Sequence, residues 1–191
     1  MIEKSDFLNP PNIVSMIRLL MAPVLLYLAY QQYPVIYMVA VLFTLFTDVL
    51  DGFLARRLNM ITELGSHLDS WGDFVIYITL AISAWWLWPE IIKQELIAVL
   101  IIIFSFTMPV LIGLLKFHKL TSYHTWSVKL AVFVTVVAYV IVFSGLLFWP
   151  LYLAAFVSVV AAVEEILITF IMKHEHADVR SVWHAMKFKN V

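Results

Sequence analysis

Six stretches of this chain, at 13–31, 34–57, 67–88, 90–115, 125–147 and 149–172, are apolar over about 20 residues each. A run of that length and character spans a bilayer as a helix. In hydrocarbon each backbone N–H and C=O must be satisfied within its own segment, which leaves little besides α-helix. Short polar or proline-containing breaks separate the runs: 31–34, 59–66, Pro89, 116–122, and Trp149 with Pro150. Pro23 and Pro109 fall inside runs, where membrane helices accept them as kinks. The expected fold is all-α and polytopic, with about six transmembrane helices in a single domain over 1–191. Residues 1–12 and 173–191 form short interfacial or cytoplasmic ends. The first run lacks a small-residue cleavage site and is followed by further runs, so it reads as a span and not as a signal peptide.

Charge orients the chain. Eleven of the twelve Lys and Arg fall on or near one side of a six-span topology, and only Lys93 falls on the other. The positive-inside rule then puts both termini in the cytoplasm, together with the loops after the second and fourth spans. In a bacterium this is the cytoplasmic membrane. Trp85, Trp86, Trp88 and Trp149 gather at the opposite interface as an aromatic belt. Beyond Lys173, Val179, Val182, Trp183 and Met186 recur at helical spacing with Arg180, His184 and Lys187 between them, a pattern suited to the membrane surface. A net charge of -1 gives no basic field for nucleic acid. The absence of cysteine excludes disulfides, thiolate metal sites and thiol nucleophiles.

Against this background four carboxylates stand out. Asp48, Asp51, Asp69 and Asp73 lie in otherwise apolar segments, where an aspartate costs about 2.5–3.5 kcal/mol on insertion scales. Asp48, Asp51 and Ala55 share one face of the second span, and Asp69 and Asp73 share one face of the third. Asp51 and Asp69 are nearly equidistant from the loop midpoint near Met60 and Ile61, as are Asp48 and Asp73. Folding the chain there should bring the acids into two facing layers near the cytoplasm. Hard oxygen donors without Cys or His favour Mg²⁺, Mn²⁺ or Ca²⁺ over zinc. Carboxylates in excess of one ion's need suggest two ions clamping a phosphoryl group. Gly52 and Ala55 leave room for a ligand, Gly65 permits a turn or close approach, and Arg56 suits phosphate oxygens.

The full pattern, Asp48-x2-Asp51-Gly52-x2-Ala55-Arg56-x8-Gly65-x3-Asp69-x3-Asp73, resembles the signature of class I of the CDP-alcohol phosphotransferase family at all eight fixed positions. The opening Asn9-Pro10-Pro11-Asn12-Ile13-Val14-Ser15-Met16-Ile17-Arg18, with Pro23 after it, looks like the start of the phosphatidylglycerophosphate synthase branch. The resemblance implies that an alcohol attacks the lipid-bearing phosphorus of CDP-diacylglycerol and that CMP leaves. It implies two ions, Mg²⁺ or Mn²⁺, with Asp48, Asp51 and Asp69 as ligands and Asp73 as ligand and general base. It also implies a cytidine site along Gly52, Ala55 and Gly65, Arg56 holding that region, and a homodimer among membrane lipids.

The acceptor is less legible. Lys116, His118, Lys119, His124 and Lys129 gather around the loop between the fourth and fifth spans and could hold an acceptor's phosphate. That would favour glycerol 3-phosphate. Lys129 could equally pair with Glu164 or Glu165, and Arg18 could meet either phosphate or a carboxylate. Inositol or its phosphate, serine, another lipid headgroup, or a CDP-aminoalcohol donor are the alternatives. An ion or proton transporter is the alternative of another class, although its acids should spread across the membrane depth.

Overall fold

The computed structural model describes residues 10–58, 63–118, 125–172, 179 and 181–188. It describes their side chains except at 10–12, 48, 49, 51–56, 58, 63–70, 73, 184, 187 and 188. The described elements are all helical: α1 (Pro10–Tyr30), α2 (Pro34–Leu58), α3 (Glu63–Leu87), α4 (Pro89–Gln94), α5 (Leu96–Phe117), α6 (Trp126–Phe143), α7 (Pro150–Ile171) and α8 (Val182–Phe188). Proline opens α1, α2, α4 and α7, where its missing N–H removes no helical bond. The expected interfacial end at 1–9 lies outside the described residues.

By length and composition α1, α5, α6 and α7 can each cross a membrane. Helices α2 and α3 are apolar over Pro34–Thr47 and Phe74–Leu87 among the described residues. Each has 25 residues, which at 1.5 Å per residue is about 37 Å, enough to cross hydrocarbon. The chain is thus a polytopic helical membrane protein. Several boundaries differ from expectation, among them the end of the fifth span, at Phe143 rather than residue 147. The fourth span starts at Leu96 rather than residue 90, because the Glu90–Lys93 pair (2.8 Å) belongs to the separate, polar α4. The third span starts at Glu63 rather than residue 67, which puts Gly65 in its first turn.

The helices form two compact units, Met1–Pro89 and Glu90–Val191. In the first, α1 packs along both α2 and α3. Its buried face is Ser15, Arg18, Ala22, Leu25 and Ala29, a 3–4 spacing that keeps one stripe inward. The facing stripes are Tyr37, Val41, Thr44 and Thr47 on α2, and Ile76, Thr79, Leu80, Ser83 and Ala84 on α3. Small residues allow close backbone approach where hydrocarbon supplies no hydrophobic drive. At one end Gln32 turns the chain with φ 58°, and its Nε2 donates to the Trp86 carbonyl at 2.9 Å.

In the second unit α7 packs on both α5 and α6 through Ala154, Ala155, Ser158, Ala161 and Ala162. Helix α8 closes on the far end of α7, burying Val179 and Ala185 against Ile168 and Met172. Trp183 remains 78% exposed.

Candidate active site

The inward stripe of α2 runs Tyr37, Val41 and Thr44. The same 3–4 spacing carries it to positions 48, 51 and 55 without a break in the helix. On α3 the stripe through Ile76 and Leu80 extends back to positions 73 and 69, again within unbroken helix. Backbone register therefore sets all four acidic positions on the faces that continue toward α1. The side chains of Asp48, Asp51, Gly52, Ala55, Arg56, Gly65, Asp69 and Asp73 lie outside the described residues.

Among the described residues, α2 and α3 each pack extensively on α1 rather than on each other. The two-helix pocket read from spacing thus gains a third wall. From α1 comes Arg18, 2% exposed. Its guanidinium crosses α3 at Gly72, where a Cβ would stand 3.0 Å from Nε and 3.3 Å from Nη2. Gly72 lies three residues after Asp69 and one before Asp73. The α1–α2 turn is centred near residue 32, so equal rise on both helices sets Arg18 level with about position 46, within a turn of Asp48. The sequence places Arg18 near the start of the first span and leaves its partner open between an acceptor's phosphate and a carboxylate. Sequence reasoning missed Gly72, whose only signal was a glycine in mid-helix, a position that weakens a helix by about 1 kcal/mol relative to Ala.

The cations of the second unit are placed differently from one another. Lys116 Nζ donates to the carbonyls of Thr169 (2.8 Å), Phe170 (3.3 Å) and Met172 (2.9 Å), capping the end of α7. Lys129 Nζ sits 5.4 Å from the centre of the Trp126 ring, a cation–π distance. His118 ends α5 with φ 57°, its N–H bonded to Leu114 O. Glu164 accepts from the Ser127 hydroxyl and from Val182 N–H at 3.2 Å, which ties α6 and α8 to α7. Thr125 caps α6 by accepting from Val128 N–H at 3.2 Å and lies 3.0 Å from the Ser127 hydroxyl. Lys119 and His124, like His174 and His176, lie outside the described residues. An apolar groove of about 420 Å³ between α5 and α7, lined by Leu100, Phe104, Val159 and Val163 among others, contains no titratable group.

Carboxylate oxygens, the donors that Asp48, Asp51, Asp69 and Asp73 offer, are of the hard type that Mg²⁺ and Mn²⁺ take. Outside the motif, no group of three or more His, Asp or Glu gathers among the described residues.

Comparison with known proteins gives an independent finding. The family model described as CDP-alcohol phosphatidyltransferase matches residues 8–176. A CDP-diacylglycerol–glycerol-3-phosphate 3-phosphatidyltransferase of Aquifex aeolicus (strain VF5) is 41% identical over 68 residues, 36% of this chain and 38% of the relative. The protein of the same name from Pseudomonas fluorescens is 41% identical over 69 residues, 35% of each chain. The chain thus covers little more than a third of either relative's length. No solved structure matches.

Proposed function

The chain belongs to the CDP-alcohol phosphatidyltransferase family, and from that membership we propose that it transfers a phosphatidyl group from CDP-diacylglycerol to glycerol 3-phosphate. The acceptor hydroxyl attacks the phosphorus that bears diacylglycerol. A new O–P bond forms, the bond from that phosphorus to CMP breaks, and CMP leaves with its electron pair. Asp73 takes the hydroxyl proton as general base, a role that contributes about 10²–10⁴-fold.

Asp48, Asp51, Asp69 and Asp73 would hold two divalent cations, Mg²⁺ or Mn²⁺, which when bound offset diphosphate charge and acidify the acceptor hydroxyl. Gly52, Ala55 and Gly65 leave space for cytidine, and Arg56 steadies that region. On the second unit, Lys119, His124 and Lys129 are the cations assigned to an acceptor's phosphate. Lys116 is committed to the end of α7. The site opens to the cytoplasm, both termini lie on that side, and the protein works as a homodimer.

The observation that carries this reading is the unbroken helical register of the acidic motif on two helices that share α1 as their packing partner. The names of both relatives favour glycerol 3-phosphate. Purified protein in detergent, given CDP-diacylglycerol, Mn²⁺ or Mg²⁺ and one alcohol at a time, should release CMP fastest with glycerol 3-phosphate and form phosphatidylglycerophosphate. Faster release with inositol, inositol phosphate or serine would move the assignment to that acceptor. No release from any CDP-linked donor, together with ion flux in proteoliposomes, would favour the transporter.

A further inference from the structure

A guanidinium remains charged in any environment that a protein offers, and burying it is costly unless compensating groups surround it. Arg18 is nevertheless 2% exposed within the apolar span Ile13–Tyr30. A long cationic side chain near a membrane surface would ordinarily extend to the headgroups. Instead Arg18 lies across the backbone of α3 in the gap left by Gly72. That gap falls between the two acidic positions of α3, and helix register puts Asp48 of α2 within a turn of the same level. Three helices thus bring positions 18, 48 and 73 to one level along the helix axes.

We propose that Arg18 is a positioning residue of this site, seated by the notch at Gly72 in the layer of Asp48 and Asp73. One fixed positive charge there tempers how tightly the carboxylates hold divalent ions and keeps them aligned for turnover. The notch has a steric basis. A methyl group at position 72 would stand 3.0 Å from Nε, so the guanidinium must move by a few tenths of an ångström. The proposal rests on the phosphatidyl-transfer reading above, and it replaces acceptor binding as the role of Arg18.

Charge and position separate experimentally. Arg18→Gln removes the charge, whereas Arg18→Lys and Gly72→Ala keep it and shift where it sits. Mn²⁺ binding to purified protein, followed by electron paramagnetic resonance, should tighten about threefold or more in Arg18→Gln as repulsion of the ions is lost. In Arg18→Lys and Gly72→Ala it should stay within about twofold, while kcat falls about five- to tenfold, because small displacements at a reacting centre are costly. KM for glycerol 3-phosphate should stay within about twofold in all three variants, since the charge lies with the carboxylates. Adding Gly72→Ala to Arg18→Lys should lower kcat little further, since the two changes act through one contact.

Unchanged Mn²⁺ affinity in Arg18→Gln would overturn the proposal, and so would multiplicative losses in the double variant. A tenfold rise in acceptor KM with kcat intact would return Arg18 to acceptor binding. If Arg18→Gln fails to fold, Arg18→Lys and Gly72→Ala still decide the matter through kcat and KM. If wild-type protein releases no CMP, phosphatidyl transfer fails as the activity, while the Mn²⁺ titrations still decide where Arg18 acts.

Discussion

Replacing Lys116 with Met removes one ammonium from the carbonyls of Thr169, Phe170 and Met172 while keeping an unbranched stem of similar length. Those carbonyls belong to the last turn of α7 and to its C-cap Met172, where four C=O groups lack helical partners. A hydrogen bond from a charged donor is worth about 1.5–3 kcal/mol, and attraction to the helix C-terminus accounts for part of that. Lys116 is exposed, so solvent competes and the low end applies, about 1.5 kcal/mol. For a chain of this size that corresponds to a fall in Tm of about 3–6 °C. Tryptophan fluorescence during heating in detergent reads the shift, and glycerol 3-phosphate kinetics on the same preparation read any effect on substrate. The reasoning is refuted by an unchanged Tm with acceptor KM raised tenfold, which would mean that the ammonium serves substrate rather than the helix end.

Glu164→Leu removes both bonds that fasten α6 and α8 to α7. Limited proteolysis between α7 and α8 should accelerate about tenfold, consistent with about 1.4 kcal/mol of lost docking, and Glu164→Gln should fall between; equal cleavage rates would show that apolar packing alone holds α8. Asp73→Asn should keep CDP-diacylglycerol binding yet lose about 10²–10⁴-fold in turnover, whereas Asp48→Asn should raise the Mn²⁺ concentration needed for activity. Near-normal turnover in Asp73→Asn would remove its assignment as base.

Most of the architecture was legible because bilayer thickness dictates segment length, so an apolar run of about 20 residues has one sensible reading. The 3–4 spacing of Asp48, Asp51 and Ala55 likewise named a helix face before any coordinates. That same spacing on α1, from Ser15 to Ala29, tells which face is buried but not which helix covers it. The position of α1 against both acidic helices therefore emerged only in three dimensions. Gly72 was missed for a related reason: its significance depends on how far a side chain on another helix reaches. The start of the fourth span at Leu96 could have been read from Glu90, Lys93, Gln94 and Glu95, polar residues that the apolar average of the segment conceals. Lys116 and Glu164 show where local reasoning ends. Each carried a plausible role in substrate binding or pairing, yet their partners are backbone carbonyls for Lys116 and a hydroxyl and a backbone N–H for Glu164, all distant in sequence.

Anomalous diffraction from crystals grown with Mn²⁺ and a cytidine nucleotide tests the central claim most directly. The account predicts Mn²⁺ peaks between α2 and α3, bridging carboxylate oxygens of Asp48, Asp51, Asp69 and Asp73 to the nucleotide's phosphate, with Arg18 alongside at Gly72. Peaks confined to other carboxylates or to the histidines near the C-terminus, with none between the two acidic helices, would contradict it.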